Sequence, residues 1–159
     1  MTAPARPKPL DAIDKRILAI VQVDASLAIG EIANRVGLSQ TPCWKRLQRL
    51  EQTGFIKRRI AVLDQAKLGL GLTVFVSIEV GEHSTELREK LAADVVAMKE
   101  VMDVYRMAGD VDYILRVVVT DTAAFDVFYK KLCGLAPLKS VKSRFALESL
   151  KAETALPIQ

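Results

Sequence analysis

Between Lys45 and Arg59 the chain carries six bases, Lys45, Arg46, Arg49, Lys57, Arg58 and Arg59, and Glu51 is the only acid among them. Ser39, Gln40 and Thr41 stand just ahead of this run. These residue types in this order suit a nucleic acid. Arginine and lysine donate to the acceptors of guanine, glutamine matches adenine, and further bases hold phosphates. A solvated helix edge would show the same charges, and charge alone leaves the two readings equal. Other chemistry is poorly supplied. There is no glycine-rich nucleotide loop and no metal-ligand spacing, and His83 is the only histidine. Asp110 and Asp112 are the only pair of acids that could do acid–base work, so no enzyme activity, cofactor or metal is expected.

The chain of 159 residues is long enough for one large domain or two small ones. Hydrophobic residues make up 50% and charged residues 26%, which argues against disorder. No apolar run reaches the roughly 20 residues of a membrane helix. The N-terminal "MTAPARPKPL" has no apolar signal core. Two distant cysteines, Cys43 and Cys133, form neither a disulfide framework nor a zinc pattern, so the expected compartment is the cytoplasm. The charge is uneven. Residues 1–60 hold 11 Lys or Arg against 5 Asp or Glu, while residues 61–159 hold 12 against 14. A basic end on a slightly acidic remainder suggests an N-terminal module for a polyanion.

The elements that must position these residues follow from periodicity and punctuation. Residues 1–9, with three prolines, read as a loose arm. Asp11 caps a first helix whose stripe is Ile13, Ile17, Ile20 and Val21. "IGEIANRVG" is a short second helix stopped by Gly37. A third helix opens at Ser39 or Thr41 and runs to Gly54. Pro42 fits its first turn, where a missing N–H costs nothing. Cys43, Leu47 and Leu50 form its inner face; Thr41, Lys45, Gln48, Arg49 and Gln52 lie opposite. Trp44 and Arg46 occupy the borders, Trp44 read as packing at the helix edge and Arg46 as a phosphate contact. Three short helices over residues 10–56 with a tight turn match a helix-turn-helix, whose third helix enters the major groove. Ser39, Gln40, Thr41, Lys45 and Arg49 then reach the groove, and Arg58 adds a phosphate contact.

"FIKRRIAVLD" reads as a strand leading out, and "KLGLGL" as a hinge, giving a linker over residues 57–71. "LTVFVSIEV" alternates, with Leu72, Val74, Val76, Ile78 and Val80 on one side and Phe75 on the other. A helix from Ser84 follows, with Leu87, Leu91, Val95 and Met98 inward. Strands over residues 101–108 and 111–120 meet at a two-residue Gly109-Asp110 turn. A helix from Thr122 buries Phe125, Phe128, Tyr129 and Leu132, and the last strand spans residues 141–150. The order β-α-β-β-α-β over residues 72–159 is ferredoxin-like, so the expected fold class is α+β, a helix-turn-helix joined by a strand linker to a ferredoxin-like domain. Both helices cover one sheet face. The other face, partly apolar, suggests dimerisation.

"LDAIDKRIL", "RVGLSQTPCWKRLQRLEQTGFI" and "AGDVDYILRV" resemble, in order and spacing, the leucine-responsive/asparagine (Lrp/AsnC) family of transcription regulators. The resemblance covers residues 10–158. It implies a DNA-binding regulator with an amino-acid-sensing ferredoxin-like domain, whose dimers assemble further, commonly to octamers, around effector bound between dimers. "TPCWKRL", "LGLGLT", "YRMAGDVDY" and "TALPI" resemble a proteobacterial subgroup that responds to cysteine. One departure is Ala28, where the family usually has Ser or Thr capping helix two.

The family's effector loop falls on Gly109, Asp110, Asp112 and Tyr113. Gly109 permits a sharp turn and close approach of a small ligand. Either aspartate could accept a charge-assisted hydrogen bond from an α-ammonium group. Arg106 and Asp121, near the loop in the expected sheet, complete the candidates. The plain alternative is a hairpin loop whose acids only form the turn and whose tyrosine packs on the sheet. An architectural DNA-binding protein with little effector dependence also fits the sequence.

Overall fold

The fold is read from a computed structural model that describes residues 9–81 and 84–158. The expected N-terminal arm, apart from Pro9, and His83 lie outside the described residues. The chain divides into two units, residues 9–62 with 151–158, and residues 63–150.

The first unit holds α1 (Ala12–Val21), α2 (Ile29–Val36) and α3 (Gln40–Gln52). Local chemistry sets each boundary. At the start of α1, Asp11 accepts the Asp14 N–H at 2.8 Å and Asp14 accepts the Asp11 N–H at 3.2 Å. This reciprocal cap satisfies two donors that the helix cannot. Helix α2 ends at Gly37, whose φ of 74° is left-handed. The Leu38 N–H then donates to Ala33 O at 2.9 Å, closing a Schellman turn. Ile17, Ile32, Ala33, Val36, Cys43, Leu47 and Leu50, one stripe from each helix, make the core of this unit.

Helix α2 opens at Ala28 with no side-chain cap. The backbone there is already extended, at φ −63° and ψ 146°, as a capping serine requires. Ala28→Ser is therefore expected to stabilise this unit by about 1 kcal/mol. A chemical denaturation curve with an unchanged midpoint would count against it.

The tail, residues 151–158, expected to continue the ferredoxin-like domain, groups with the helices. The Gln22 Nε2 donates to Leu156 O at 3.0 Å, and the Leu156 N–H donates to Gln22 Oε1 at 2.8 Å. Ile158 packs against the helical core. The chain thus passes between the units twice, at residues 62–63 and again at 150–151.

The second unit runs β1 (Leu72–Val80), α4 (Thr85–Ala97), β2 (Val101–Arg106), β3 (Tyr113–Val119), α5 (Thr122–Cys133) and β4 (Leu138–Phe145). The strands lie in the order β2-β3-β1-β4, all neighbours antiparallel. Val74, Val76, Ile78 and Val80 of β1 and Leu115, Val117 and Val119 of β3 share one core with Leu91 and Val95 of α4 and Phe125, Phe128 and Leu132 of α5. Both helices therefore cover the same face, as the ferredoxin-like arrangement requires. On the other face Phe75 remains 42% exposed and Tyr105 59%.

Three sequence expectations need correction here. Residues 57–64 form no strand and pair with no strand among the described residues, and Ile60, Val62 and Leu63 stand exposed. Strand β4 spans 138–145 and not 141–150. Its end is dictated by β1: the Ala146 N–H still bonds Thr73 O at 3.0 Å, but β1 begins at Leu72, so nothing remains to pair with. The two-residue hairpin turn is instead a loop over residues 107–112, with Gly109 at a φ of 139°. The Met107 N–H donates to Asp112 O at 2.9 Å across the base of this loop.

Candidate nucleic-acid interface and effector loop

The outer surface of α3 exposes Gln40, Thr41, Trp44 and Lys45, with Ser39 at the N-cap. The Ser39 hydroxyl makes no capping bond, so it is not spent on the helix. Trp44, read as an edge-packing residue, is 48% exposed. Gln40 leans towards α2: a Cβ built on Gly30 would lie 2.8 Å from its Nε2. That approach needs the bare backbone of Gly30, and it draws the amide away from a purely outward pose.

The arginines differ from expectation. Arg46 was aimed at a phosphate, but its Nη1 donates to Asp11 at 2.5 Å and to Asp14 at 2.8 Å. Arg49 was aimed at the groove, but its Nη2 donates to the other oxygen of Asp14. Both guanidiniums are turned to the α1 side because the border of α3 that carries them faces two acids of the α1 cap. Asp14 is fully buried. Its burial raises the carboxyl's pKa, but the bonds from Arg46 and Arg49 outweigh this and hold it below the ordinary carboxylate value. Asp11 is held low chiefly by Arg46. The same pairing, led by Asp11, raises Arg46. Burial pushes the neighbouring Cys43 thiol up, so it stays protonated and inert at neutral pH.

Arg59 pairs with Glu51 at 2.7 Å. Of the six bases between Lys45 and Arg59, three are thus neutralised by carboxylates of the same unit. Lys45, Lys57 and Arg58 have no ion-pair partner among the described residues. Sequence reasoning missed Asp11 and Asp14 as partners. The available signal was their spacing of three, which matches that of Arg46 and Arg49.

The second candidate site is the β2–β3 loop. Asp110 is exposed on it, and Arg106 is exposed at the adjoining end of β2. Asp112 is structurally engaged. Its N–H donates to Ile78 O at 2.8 Å, and one carboxylate oxygen accepts the Val80 N–H at 2.8 Å. The Tyr113 ring is buried with Ile78, Leu91, Val95 and Leu115, which is packing on the sheet and not display in the loop. Asp121 caps α5, its carboxylate accepting the Ala124 N–H at 2.8 Å, a bond that lowers its pKa. It follows the far end of β3, roughly 25 Å along the strand from Tyr113. The structure brings Gly109, Asp110, Asp112 and Arg106 together, and it sends Asp121 to the other end of the sheet.

A three-helix reader followed by a ferredoxin-like unit defines a class, the two-part DNA-binding transcription regulators. A model of winged helix-turn-helix DNA-binding domains matches residues 10–57, and a model of the Lrp/AsnC ligand binding domain matches residues 73–156. The chain belongs to the Lrp/AsnC family. It is 46% identical over 151 residues to the DNA-binding transcriptional activator DecR of Escherichia coli K12, covering 94% of this chain and 99% of the relative. The crystal structure of an AsnC family transcriptional regulator from Agrobacterium tumefaciens is 47% identical, covers 93% of this chain and 97% of that one, and superposes with a TM-score of 0.90. A transcriptional regulator from Neisseria meningitidis in complex with L-methionine is 33% identical, covers 94% and 97% of the two chains, and gives a TM-score of 0.89. These relatives are transcription regulators and not enzymes, and so is this chain. No helix among the described residues is long and apolar enough to cross a membrane.

Proposed function

We propose that the protein reads double-stranded DNA in the cytoplasm with the outer face of α3 and changes that binding when a small amino acid, cysteine first among candidates, occupies the β2–β3 loop. The observation that carries the DNA reading is the set of unpaired cations on one helical module: Lys45 on α3, then Lys57 and Arg58 beyond it. Ser39, Thr41 and Lys45 face the base edges. Gln40 reaches them only by leaving Gly30. Lys57 and Arg58 hold phosphates. Lys45→Ala is expected to weaken binding to the preferred duplex by about 1–3 kcal/mol. Arg58→Ala should weaken all duplexes alike and flatten the salt slope by about 0.9, one phosphate's worth. Trp44 is the only tryptophan, so its fluorescence reports DNA arriving at α3 directly. Unchanged affinity in the Lys45 variant together with unchanged Trp44 emission would remove α3 from the interface.

The effector reading rests on the match to a ligand binding domain and on the L-methionine held by the Neisseria regulator. Both favour a ligand-responsive regulator over an architectural protein. Cysteine comes from the resemblance of "TPCWKRL", "YRMAGDVDY" and "TALPI" to a cysteine-responsive subgroup.

The working form is a homodimer that assembles further, up to an octamer. Phe75 and Tyr105 leave apolar area on the open sheet face, and Ile60, Val62 and Leu63 leave an extended segment without a strand partner. A second copy of the chain covers both. Light scattering at micromolar concentration should give a mass of at least two chains; a single-chain mass would be incompatible with this assembly.

A further inference from the structure

The recognition helix is less basic than its sequence. Within Gln40–Gln52 the bases are Lys45, Arg46 and Arg49. Two of these three face Asp11 and Asp14 of α1, and the four groups together sum to zero charge. The arrangement is demanding: Asp14 is fully buried, its two oxygens are taken by two different guanidiniums, and Arg46 is shared with the half-exposed Asp11. Each arginine keeps about a third of its side-chain surface, 29% for Arg46 and 32% for Arg49, so both lie within reach of solvent and of an incoming anion. A carboxylate is the natural competitor of a phosphate for a guanidinium.

We propose that Asp11 and Asp14 are specificity-determining residues for DNA binding: they occupy and neutralise Arg46 and Arg49, so that α3 meets the duplex with Lys45 as its one free cation and cannot hold DNA by charge alone. The inference rests on the reading that α3 enters the groove. Its physical content is the division between sequence-independent and sequence-dependent affinity. Each free cation that meets a phosphate releases counterions and strengthens binding, and a complex on random sequence, free to take any register, gains more from it than one locked in register by base contacts. Two arginines freed on α3 would raise non-specific affinity and narrow the gap between right and wrong sites. Held on α1, they leave discrimination to the polar groups at the helix start.

Asp11→Asn is the first test. Asparagine caps a helix as well as aspartate, so α1 keeps its start, while the cluster gains one net positive charge. Binding is measured between 50 and 200 mM salt, against a random-sequence duplex and a duplex the wild-type protein selects from a random pool. The expected result is a steeper salt slope on random duplex, by up to about 0.9, so that the fall in affinity across this range grows by about three- to fourfold. The preference for the selected duplex falls by a similar factor at the low-salt end. Asp14→Asn should act in the same direction and more strongly, provided circular dichroism finds it folded; Asp11→Asn carries the test if it is not.

Asp24→Asn is the control, because it makes the same charge change on an aspartate whose bonds go to Ser26 and not to an arginine. The proposal is overturned if Asp11→Asn leaves the slope unchanged, or if Asp24→Asn steepens it equally. It is also overturned if a folded Asp14→Asn loses affinity for both duplexes in proportion. Lys45→Ala on the same duplexes separates the two levels of the argument. If it weakens binding while Asp11→Asn does nothing, only the specificity role falls; if it too does nothing, the groove reading falls with it.

Discussion

Asp14→Ala is expected to destabilise the helical unit by about 2–3 kcal/mol, the loss of charge-assisted hydrogen bonds to a buried carboxylate together with half of a helix cap. The size follows from what remains behind. Asp14 is fully buried and receives both Arg46 and Arg49. Its removal leaves Arg49 without an ion-pair partner among the described residues and Arg46 with Asp11 alone. It also removes half of the cap at the start of α1, since Asp14 accepts the Asp11 N–H. Thermal unfolding followed at a helix-sensitive wavelength checks this. A loss below about 1 kcal/mol would mean that the two guanidiniums find solvent without penalty, as exposed ion pairs do.

The same cluster sets an acid limit. The folded-state pKa values of Asp11 and Asp14 are both lowered from the ordinary 3.8, so the stability they confer is complete above that value. It is lost as pH falls through the lowered folded-state values, because the unfolded chain takes up protons first. The melting temperature of the helical unit should therefore hold between pH 7 and pH 5 as far as these groups are concerned, and fall below pH 4. The fall should be shallower in Asp14→Asn, which has no carboxylate left to protonate there.

What could be read from the sequence was local. The caps at Asp11 and Gly37, the helix start at Ser84, the inward stripes of α1 to α5 and the alternation of β1 each depend on residues within a turn or a strand of one another. The misses are contacts between residues far apart in the chain. Arg49 finds Asp14 across 35 positions, and Leu156 finds Gln22 across 134. Strand β4 stops where β1 offers no more partners, a limit set by Leu72 and invisible in residues 141–150 themselves. In the β2–β3 loop Asp112 bonds Val80, 32 positions earlier. Arg46 and Arg49 show the cost for function: periodicity put Arg46 on a border and Arg49 on the outer face of α3, and only the fold reveals that both turn to the acids of α1.

The second large effect is expected in the loop, where Asp110 and Asp112 should behave differently. Asp110 is exposed and Asp112 holds the end of β1. Asp110→Ala should weaken binding of the effector by about ten- to a hundredfold, the worth of one charge-assisted hydrogen bond to an α-ammonium, and leave stability unchanged. Asp112→Ala should abolish the effector's influence on DNA binding and also destabilise the ferredoxin-like unit by about 1.5–3 kcal/mol, because the Val80 N–H loses a charged acceptor. Effector-free DNA binding should survive both changes, since the helices carrying Lys45 belong to the other unit. A ligand shifts DNA affinity only by binding two states of the protein unequally, so loss of response in Asp110→Ala must accompany loss of affinity. Calorimetry with cysteine and methionine against both variants, beside their melting curves, tests the division. Wild-type affinity in a folded Asp110→Ala would move the ammonium contact to the free oxygen of Asp112; wild-type affinity in both would place the effector outside this loop.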